Sequence, residues 1–522
     1  MAYRDLREFI ARLEKNKQLV RITAPVNQDL EITEIADRVM KSAGEKNVAL
    51  LFENVRGHTM PVAINLFGSE TRMAWALGVE RLDDLNKKLS DFISMDMPRG
   101  LIEKAQRGLE MLNGLKNTEP RYVSRGACQE VVMTQPNLSA LPIIKCWPLD
   151  AGRYITLPSV FSRDPQTGKR NVGMYRLQVF DDQTLGMHWQ RHKGGTEHQR
   201  VAQDLGAEKI PVAVSLGGDP AIIWAGSAPL PPNIDELMLA GWLRGKSVEL
   251  VKCVSQPLEI PADAEIIIEG YVDPRDAMQK IEGPFGDHTG YYSLADNYPV
   301  LHVTAITHRR DAIYPTTIVG KPPMEDYWMG KATERLFLPL MKLFMGEIVD
   351  VNMPAEGVFH NLVIVSIKKR FPWHARKVMY GLWGLGLMML TKTIIVVDAD
   401  VDAQNLSQVA FEVLANYDPL RDLQIVAGAT DDLDHASLEK NFGGKLGIDA
   451  TRKTERDPGQ HQKWPPEIQC RRKSKRWWTN AGRNTVFSCI VESLDSCIVE
   501  SLTAKLSNYP TIQLCNYPTN YA

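Results

Sequence analysis

Cysteine is scarce and poorly placed for structural work. Seven cysteines occur in 522 residues, and the spacing of Cys128, Cys146 and Cys253 gives no CxxC zinc or redox pair, while so few in so long a chain form no disulfide framework. This usage predicts a reducing, cytoplasmic setting. Long apolar runs are also missing. The best candidate, Tyr380 to Leu390, stops at Lys392, short of the roughly 20 residues of a membrane helix. Near the start, Arg4, Asp5, Arg7 and Glu8 interrupt any secretory h-region. Nor does one sign of charge dominate: 61 Lys+Arg against 63 Asp+Glu leave a net charge of −2, which excludes a strongly basic nucleic-acid binder. That near-neutral total joins unlike parts. From Thr451 onward the balance is +5, with four of the seven cysteines and the basic run Arg471 to Arg476, whereas residues 1–450 carry −7.

What remains is ordinary globular composition, 44% hydrophobic and 24% charged, enough for several domains. Residues 1–125 read as an N-terminal α/β unit with a helical connector: Leu6, Phe9, Ile10 and Leu13 recur at helical spacing, as do Ile32, Ile35, Val39 and Met40, with strands at 48–52 and 61–66. Residues 126–318 change to β. Strands are expected at Ile155, 172–180, 210–216, 248–254, 266–272 and 300–307, with a hairpin turn at Asp164 to Gly168 and one helix at 234–243. That pattern predicts a closed or split antiparallel barrel. Residues 319–453 alternate strand and helix again, including a helix from His374 to Met389, and predict a C-terminal α/β layer. The remainder, 454–522, repeats Ser-Cys-Ile-Val-Glu-Ser-Leu-like and Asn-Tyr-Pro-Thr segments too short for a solenoid and is expected to be a disordered tail.

Polar residues that could carry chemistry concentrate in the β region. Glu282-Gly283-Pro284-Phe285-Gly286-Asp287-His288-Thr289-Gly290-Tyr291-Tyr292 packs two carboxylates and an imidazole among glycines that allow irregular backbone. Met174, Arg176 and Gln178 share a face on a regular strand, and an inward Arg requires an anion; a solvent-facing Arg is the alternative. Asn171 would face the other way unless it sits on the turn. His188 and His192 suit a divalent ion alongside carboxylate and amide oxygens, or one is simply structural. Glu236 opens a helix, as a hard ligand or as a charge favoured by the helix dipole.

Taken in order, Asn171 to Arg176, His192-Lys193-Gly194-Gly195, Asp235-Glu236 with Ala240-Gly241, and the Glu282 to Tyr292 run resemble the UbiD family of decarboxylases. The resemblance runs from about residue 3 to 453 and includes Leu30 to Arg38, Cys146-Trp147-Pro148, Val251-Lys252-Cys253, Gly320 to Pro323 and Gly447 to Thr451. It implies a reversible, non-oxidative decarboxylase of aromatic or α,β-unsaturated acids that uses prenylated FMN (prFMN), a divalent metal, usually Mn²⁺, and often K⁺. The similar proteins act on 4-hydroxy-3-polyprenylbenzoate in ubiquinone biosynthesis or belong to menaquinone biosynthesis. It implies further a split barrel holding the flavin, a C-terminal oligomerisation domain, a homo-oligomer (dimer or hexamer), a flavin prenyltransferase as supplier of cofactor, and peripheral membrane association for a lipophilic substrate.

Carried onto this chain, the family pattern makes Asn171, His192 and Glu236 the metal ligands that also anchor the cofactor phosphate. Met174, Tyr175, Arg176, His188, Trp189, Gln190, Lys193, Gly194 and Lys392 bind the flavin. Arg176, Glu282 and Asp287 form the catalytic network, with Asp287 expected to be protonated through burial and the nearby Glu282, and so to act as proton donor. The sequence departs from the family after Lys463 to Ile468, where the terminal helix expected to pack on neighbouring subunits is replaced by the repeats and basic run. Two other readings stand beside this one: a split-barrel flavin reductase using plain FMN and NAD(P)H, and a non-enzymatic scaffold.

Overall fold

Helix Leu6–Lys15 turns Leu6, Phe9, Ile10 and Leu13 inward, all at most 3% exposed, and Asp5 caps it by accepting the Glu8 amide at 3.0 Å. Burying four such side chains contributes about 1.5–3 kcal/mol each before the entropy of ordering them. This is the spacing expected from the sequence. The computed structural model describes residues 2–93, 118–189, 194–230, 234–275, 280–461, 463–466 and 468. Two units divide the chain, Met1–Gln460 and His461–Ala522. The few described residues of the second hold no helix or strand, and the repeats and basic run of the tail lie outside the described residues.

Leu19–Ile22, Ala49–Phe52 and Val62–Ile64 form the N-terminal sheet, parallel then antiparallel. Its fourth strand is Tyr314–Pro315, arriving from the end of the barrel. The first layer is therefore closed by chain from the second.

The barrel region contains a nine-stranded antiparallel sheet running Tyr154–Ile155, Leu177–Val179, Thr184–Met187, Val300–His308, Ile266–Val272, Ile210–Leu216, Ser159–Arg163, Arg170–Gly173, with Val131–Met133 paired to Val300–His308. The expected single strand over 172–180 is two strands. Arg170–Gly173 lies at one edge of the sheet and Leu177–Val179 next to the other, and residues 174–176 cross between them. The Met174 amide leaves the ladder to donate to Gly226 O at 2.8 Å, a distant partner that outweighs local alternation. The strand expected at 248–254, seen at Glu249–Lys252, is also outside this sheet; it pairs with Glu259–Pro261 and Arg121–Tyr122.

The C-terminal sheet runs Ile348–Asn352, Leu362–Ile367, Thr393–Asp398, Phe442–Asp449, Leu423–Ala429. Helix His374–Trp383 is shorter than expected, ending at Gly384 before a 3-10 turn over Gly386–Leu390. Residues 454–460 still pack on this layer, for Asp457 is 5% exposed and receives Lys369 Nζ at 3.0 Å. Among the described residues no helix is long and apolar enough to cross a membrane.

Candidate active site

The crossing at 174–176 delivers Arg176 to the Glu282–Ser293 loop. Strands Lys280–Glu282 and Asp296–Tyr298 pair, as do Phe285–Gly286 and Tyr292–Ser293, so the two carboxylates lie on a short doubled hairpin. Gly283 stands at φ +91°, a region costly for any side chain, and its amide donates to Gln178 Oε1 at 2.8 Å. Tyr154 donates to the same oxygen at 2.9 Å. Gly286 donates to Asp150 Oδ1 at 2.7 Å, and a Cβ there would stand 2.2 Å from Trp147. The loop is thus pinned from the barrel wall, and only glycine fits against the indole.

Arg176 holds both carboxylates. Its Nε donates to Glu282 Oε1 at 2.8 Å and Nη2 to Glu282 Oε2 at 3.0 Å, the bidentate geometry of strong charge-assisted pairs. Nη1 donates to Asp287 Oδ2 and Nη2 also to Ser293 Oγ at 3.1 Å. The guanidinium lies 4.7 Å from the Phe285 ring centre. His188 Nδ1 donates to Glu282 Oε2 at 3.0 Å, and Tyr298 packs on the imidazole at 4.3 Å. Glu282 is fully buried and Asp287 is 6% exposed.

Burial alone would raise both carboxyl pKa values, but their partners outweigh it. For Glu282 the His188 hydrogen bond and the Arg176 charge bring it down to about 2. For Asp287 the Arg176 charge, followed by the His288 hydrogen bond, holds it well below the usual carboxylate range. The expected protonated Asp287 is therefore corrected: beside Arg176 it is an anion, because the opposite charge at contact and the His288 hydrogen bond outweigh desolvation.

A second group adjoins the first through the neighbours Tyr175 and Trp189. Asn171 lies within strand Arg170–Gly173, not on the turn, and the break at 174–176 removes the parity objection to its sharing a site with Arg176. Tyr175 accepts the Gly195 amide at 3.2 Å. Glu236 opens helix Glu236–Arg244 behind the Asp235 cap, and its Oε2 accepts the Val172 amide at 3.0 Å. Burial pushes the Glu236 carboxyl up to about 7. Gly194 and Gly195 permit close approach: a Cβ would stand 2.2 Å from Asn171 Oδ1 and 2.5 Å from Trp189 Nε1 respectively.

Whether this lining suits a flavin and a metal can be judged from its buried polar atoms. Asn171 Nδ2, His188 Nε2 and Trp189 Nε1 are buried without a hydrogen-bond partner among the described residues, a state that costs roughly 1–3 kcal/mol per group unless a ligand supplies the partner. Asn171 and Trp189 flank the Gly194-Gly195 pair and His188 precedes Trp189, and unpartnered polar atoms so grouped fit a polar ligand. The Asn171 amide and the Glu236 carboxylate are hard donors suited to a divalent ion. No set of three His, Cys, Asp or Glu residues among the described residues is placed to hold a metal. Expected His192 lies outside the described residues, as do Gln190 and Lys193. Met174 packs into the core beneath the crossing. Lys392 is not drawn to Arg176; its Nζ pairs with Asp434 at 2.9 Å in the C-terminal layer.

Sequence reasoning missed the residues that brace this site, Asp150, Gln178 as a clamp, Ser293, Tyr298 and His360. Asp150 and His360 stand in no local motif and reach the site only by long-range contacts, through the Gly286 amide and the His288 ring.

Known proteins resemble this chain along most of its length. Residues 121–322 match the 3-octaprenyl-4-hydroxybenzoate carboxy-lyase Rift-related domain, 327–450 the C-terminal domain and 10–91 the N-terminal domain of the same family, UbiD. An uncharacterised protein of Archaeoglobus fulgidus is 49% identical over 477 residues, 91% of this chain and 97% of its own. The structure of Sedimentibacter hydroxybenzoicus vanillic acid decarboxylase in closed form superposes with TM-score 0.81 at 26% identity, covering 92% of this chain and 98% of that one. An evolved dimeric form of the UbiD-class enzyme HmfF from Pelotomaculum thermopropionicum in complex with prFMN gives TM-score 0.74 at 27% identity, over 92% and 100%.

Proposed function

The chain belongs to the UbiD family of carboxy-lyases, and from that premise we propose that it reversibly decarboxylates an aromatic acid of the polyprenyl-hydroxybenzoate type, in quinone biosynthesis, with prFMN and Mn²⁺ or a similar divalent ion. The observation that carries the proposal is the Arg176–Glu282–Asp287 network. The flavin is supported by the prFMN held by the HmfF neighbour and by the unpartnered polar atoms at 171, 188 and 189. Asn171 and Glu236, joined by His192, would hold the metal; Tyr175, Trp189 and Gly194 would line the flavin together with Gln190, Lys193 and, from the C-terminal layer, Lys392. A flavin prenyltransferase would supply the cofactor.

Loss of CO₂ from an aryl acid leaves electron density on an sp² carbon that no side chain delocalises; the bound flavin supplies that electron sink. The protein supplies orientation and a proton. Of the five N–H groups of Arg176, four are engaged with Glu282, Asp287 and Ser293, leaving one on Nη1 for the substrate carboxylate. Glu282, locked by Arg176 and His188, fixes the guanidinium plane. As the substrate carboxylate competes for Nη1, Asp287 loses part of its counterion, its proton affinity rises, and it becomes the acid that protonates the carbon.

The outer helix Leu406–Asn416 leaves Phe411 and Leu414 67% and 76% exposed, apolar surface that a second copy would cover in a homo-oligomer. A polyprenyl substrate would draw the enzyme to a membrane surface. Reconstitution with prFMN and Mn²⁺, followed by CO₂ release from a panel of aromatic and enoic acids, tests the proposal. Release from a hydroxybenzoate-type acid is expected; nicotinamide oxidation with plain FMN instead would mark a flavin reductase.

A further inference from the structure

Beyond Asp287 the titratable groups continue. His288 donates twice to one oxygen, Asp287 Oδ1, from its amide at 2.8 Å and from Nδ1 at 2.9 Å. On the far side its Nε2 lies 3.1 Å from His360 Nε2, and His360 Nδ1 lies 3.1 Å from Asn361 Oδ1. Asp287 Oδ1 and Asn361 Oδ1 accept, so each ring carries a proton on Nδ1 and one further proton joins the two Nε2 atoms. That proton belongs to His288, whose ring touches a carboxylate oxygen at 2.9 Å while Asp431 stands 3.7 Å from His360; His288 then donates from both nitrogens as an imidazolium, and His360 offers a lone pair at Nε2. Asp287, Asp326 and Asp431 face it, and Phe359 packs on it at 5.6 Å. His360 is faced by Asp431 and Asp434, the latter tied to Lys392. Lys321 runs beside Gly290 on the same loop. Burial disfavours the charged form of both rings, but the Asp287 hydrogen bond and charge raise the pKa of His288 in spite of it, whereas His360 is lowered.

A crevice lined by His288, Asp326, Tyr327, Pro354 and Phe359 opens onto the imidazole, whose side chain keeps 18% of its surface exposed. The His288–His360 contact spans the barrel region and the C-terminal layer.

We propose that His288 is the proton store that reloads Asp287 in each turnover, with His360 as the residue that holds it doubly protonated. The inference rests on the decarboxylase reading and deepens it. When a substrate carboxylate takes up Arg176, the His288 Nδ1–H bond breaks and an Asp287 Oδ1–H bond forms, leaving a neutral imidazole with its proton on Nε2. Asp287 passes that proton to the carbon that has lost CO₂. His288 then takes one proton from water along the crevice, the single proton that conversion of a carboxylate to C–H and CO₂ consumes. His288 acts through Asp287 and is a positioning residue in this scheme, with no contact to the reacting carbon required.

The test has two arms on the full chain. In the first, ¹⁵N-histidine NMR without flavin, with His288 identified by the signal lost in His288→Asn or His288→Gln, reads its protonation directly. Two protonated ring nitrogens at a pH where free imidazole has lost one are expected, and loss of that state in Asp287→Asn; a singly protonated His288 at that pH overturns the proposal. The second arm is kinetic. His288→Asn keeps an N–H near Nδ1 but cannot store a proton, and should lower kcat about 10–100-fold with KM changed less than about twofold, with a shifted pH profile and partial rescue by added imidazole. An active wild type with an equally active His288→Asn variant overturns the relay alone, whereas a wild type that releases CO₂ from no acid overturns the decarboxylase reading itself. If His288→Asn fails to fold, His288→Gln identifies the signal and the wild-type NMR result still decides.

Discussion

Arg176 and Glu282 meet edge to edge through two hydrogen bonds of 2.8 and 3.0 Å, with Glu282 wholly buried. Removing the guanidinium leaves that carboxylate desolvated and uncompensated, which costs about 3–5 kcal/mol in comparable buried pairs. Arg176→Ala should therefore lose both activity and stability, whereas Arg176→Lys keeps charge but gives up the fork. Denaturant midpoints should rank wild type above Arg176→Lys above Arg176→Ala, with both variants inactive.

The same pair sets a pH dependence. Glu282 sits at about 2 in the fold against about 4.3 in an unfolded chain. Its stabilising contribution is complete above the unfolded value and is lost as pH falls through the folded one, so the loss spans roughly pH 4.3 down to 2. Asp287, also lowered, adds in the same direction. Stability measured across this window should fall more steeply for wild type than for Glu282→Gln; parallel curves would show that Glu282 is not ionised in the fold.

Close packing at Gly194 makes a prediction about ligand binding. A Cβ there would press on the Asn171 amide, so Gly194→Ala should displace Asn171 from the proposed metal site while leaving the barrel sheet intact. Bound Mn²⁺ and flavin should drop about tenfold or more, with Tm moved by a few degrees at most. Unchanged metal content in a folded variant would remove Asn171 from the metal site.

Much of this was legible in the sequence, and the failures have a common cause. The stripe Leu6, Phe9, Ile10, Leu13 and strand Ile266–Val272 declare themselves because local periodicity and burial agree. Helix Glu325–Phe344 is hidden because Lys331, Glu334 and Arg335 are buried on it as a mutually paired group and Pro339 lies inside it. The Glu282 to Tyr292 run was readable as a site from its composition. Its charge state was not, since Asp287 ionises in answer to Arg176, 111 positions away. His360 shows no motif at all, and only the fold brings it to His288.

Asp287 and Arg176 have separable roles in this account, and one isotope experiment on the reconstituted enzyme separates them. Exchange of ¹³CO₂ into the substrate carboxylate needs C–C cleavage and re-formation but no protonation, whereas solvent deuterium entering the product carbon needs the acid. With an aromatic acid that the wild type accepts, Asp287→Asn should retain ¹³CO₂ exchange, lose deuterium incorporation and net CO₂ release by about 100-fold or more, and keep its flavin. Arg176→Ala should lose both exchanges. Full deuterium incorporation by Asp287→Asn, or no ¹³CO₂ exchange by the wild type with any acid, would contradict the account.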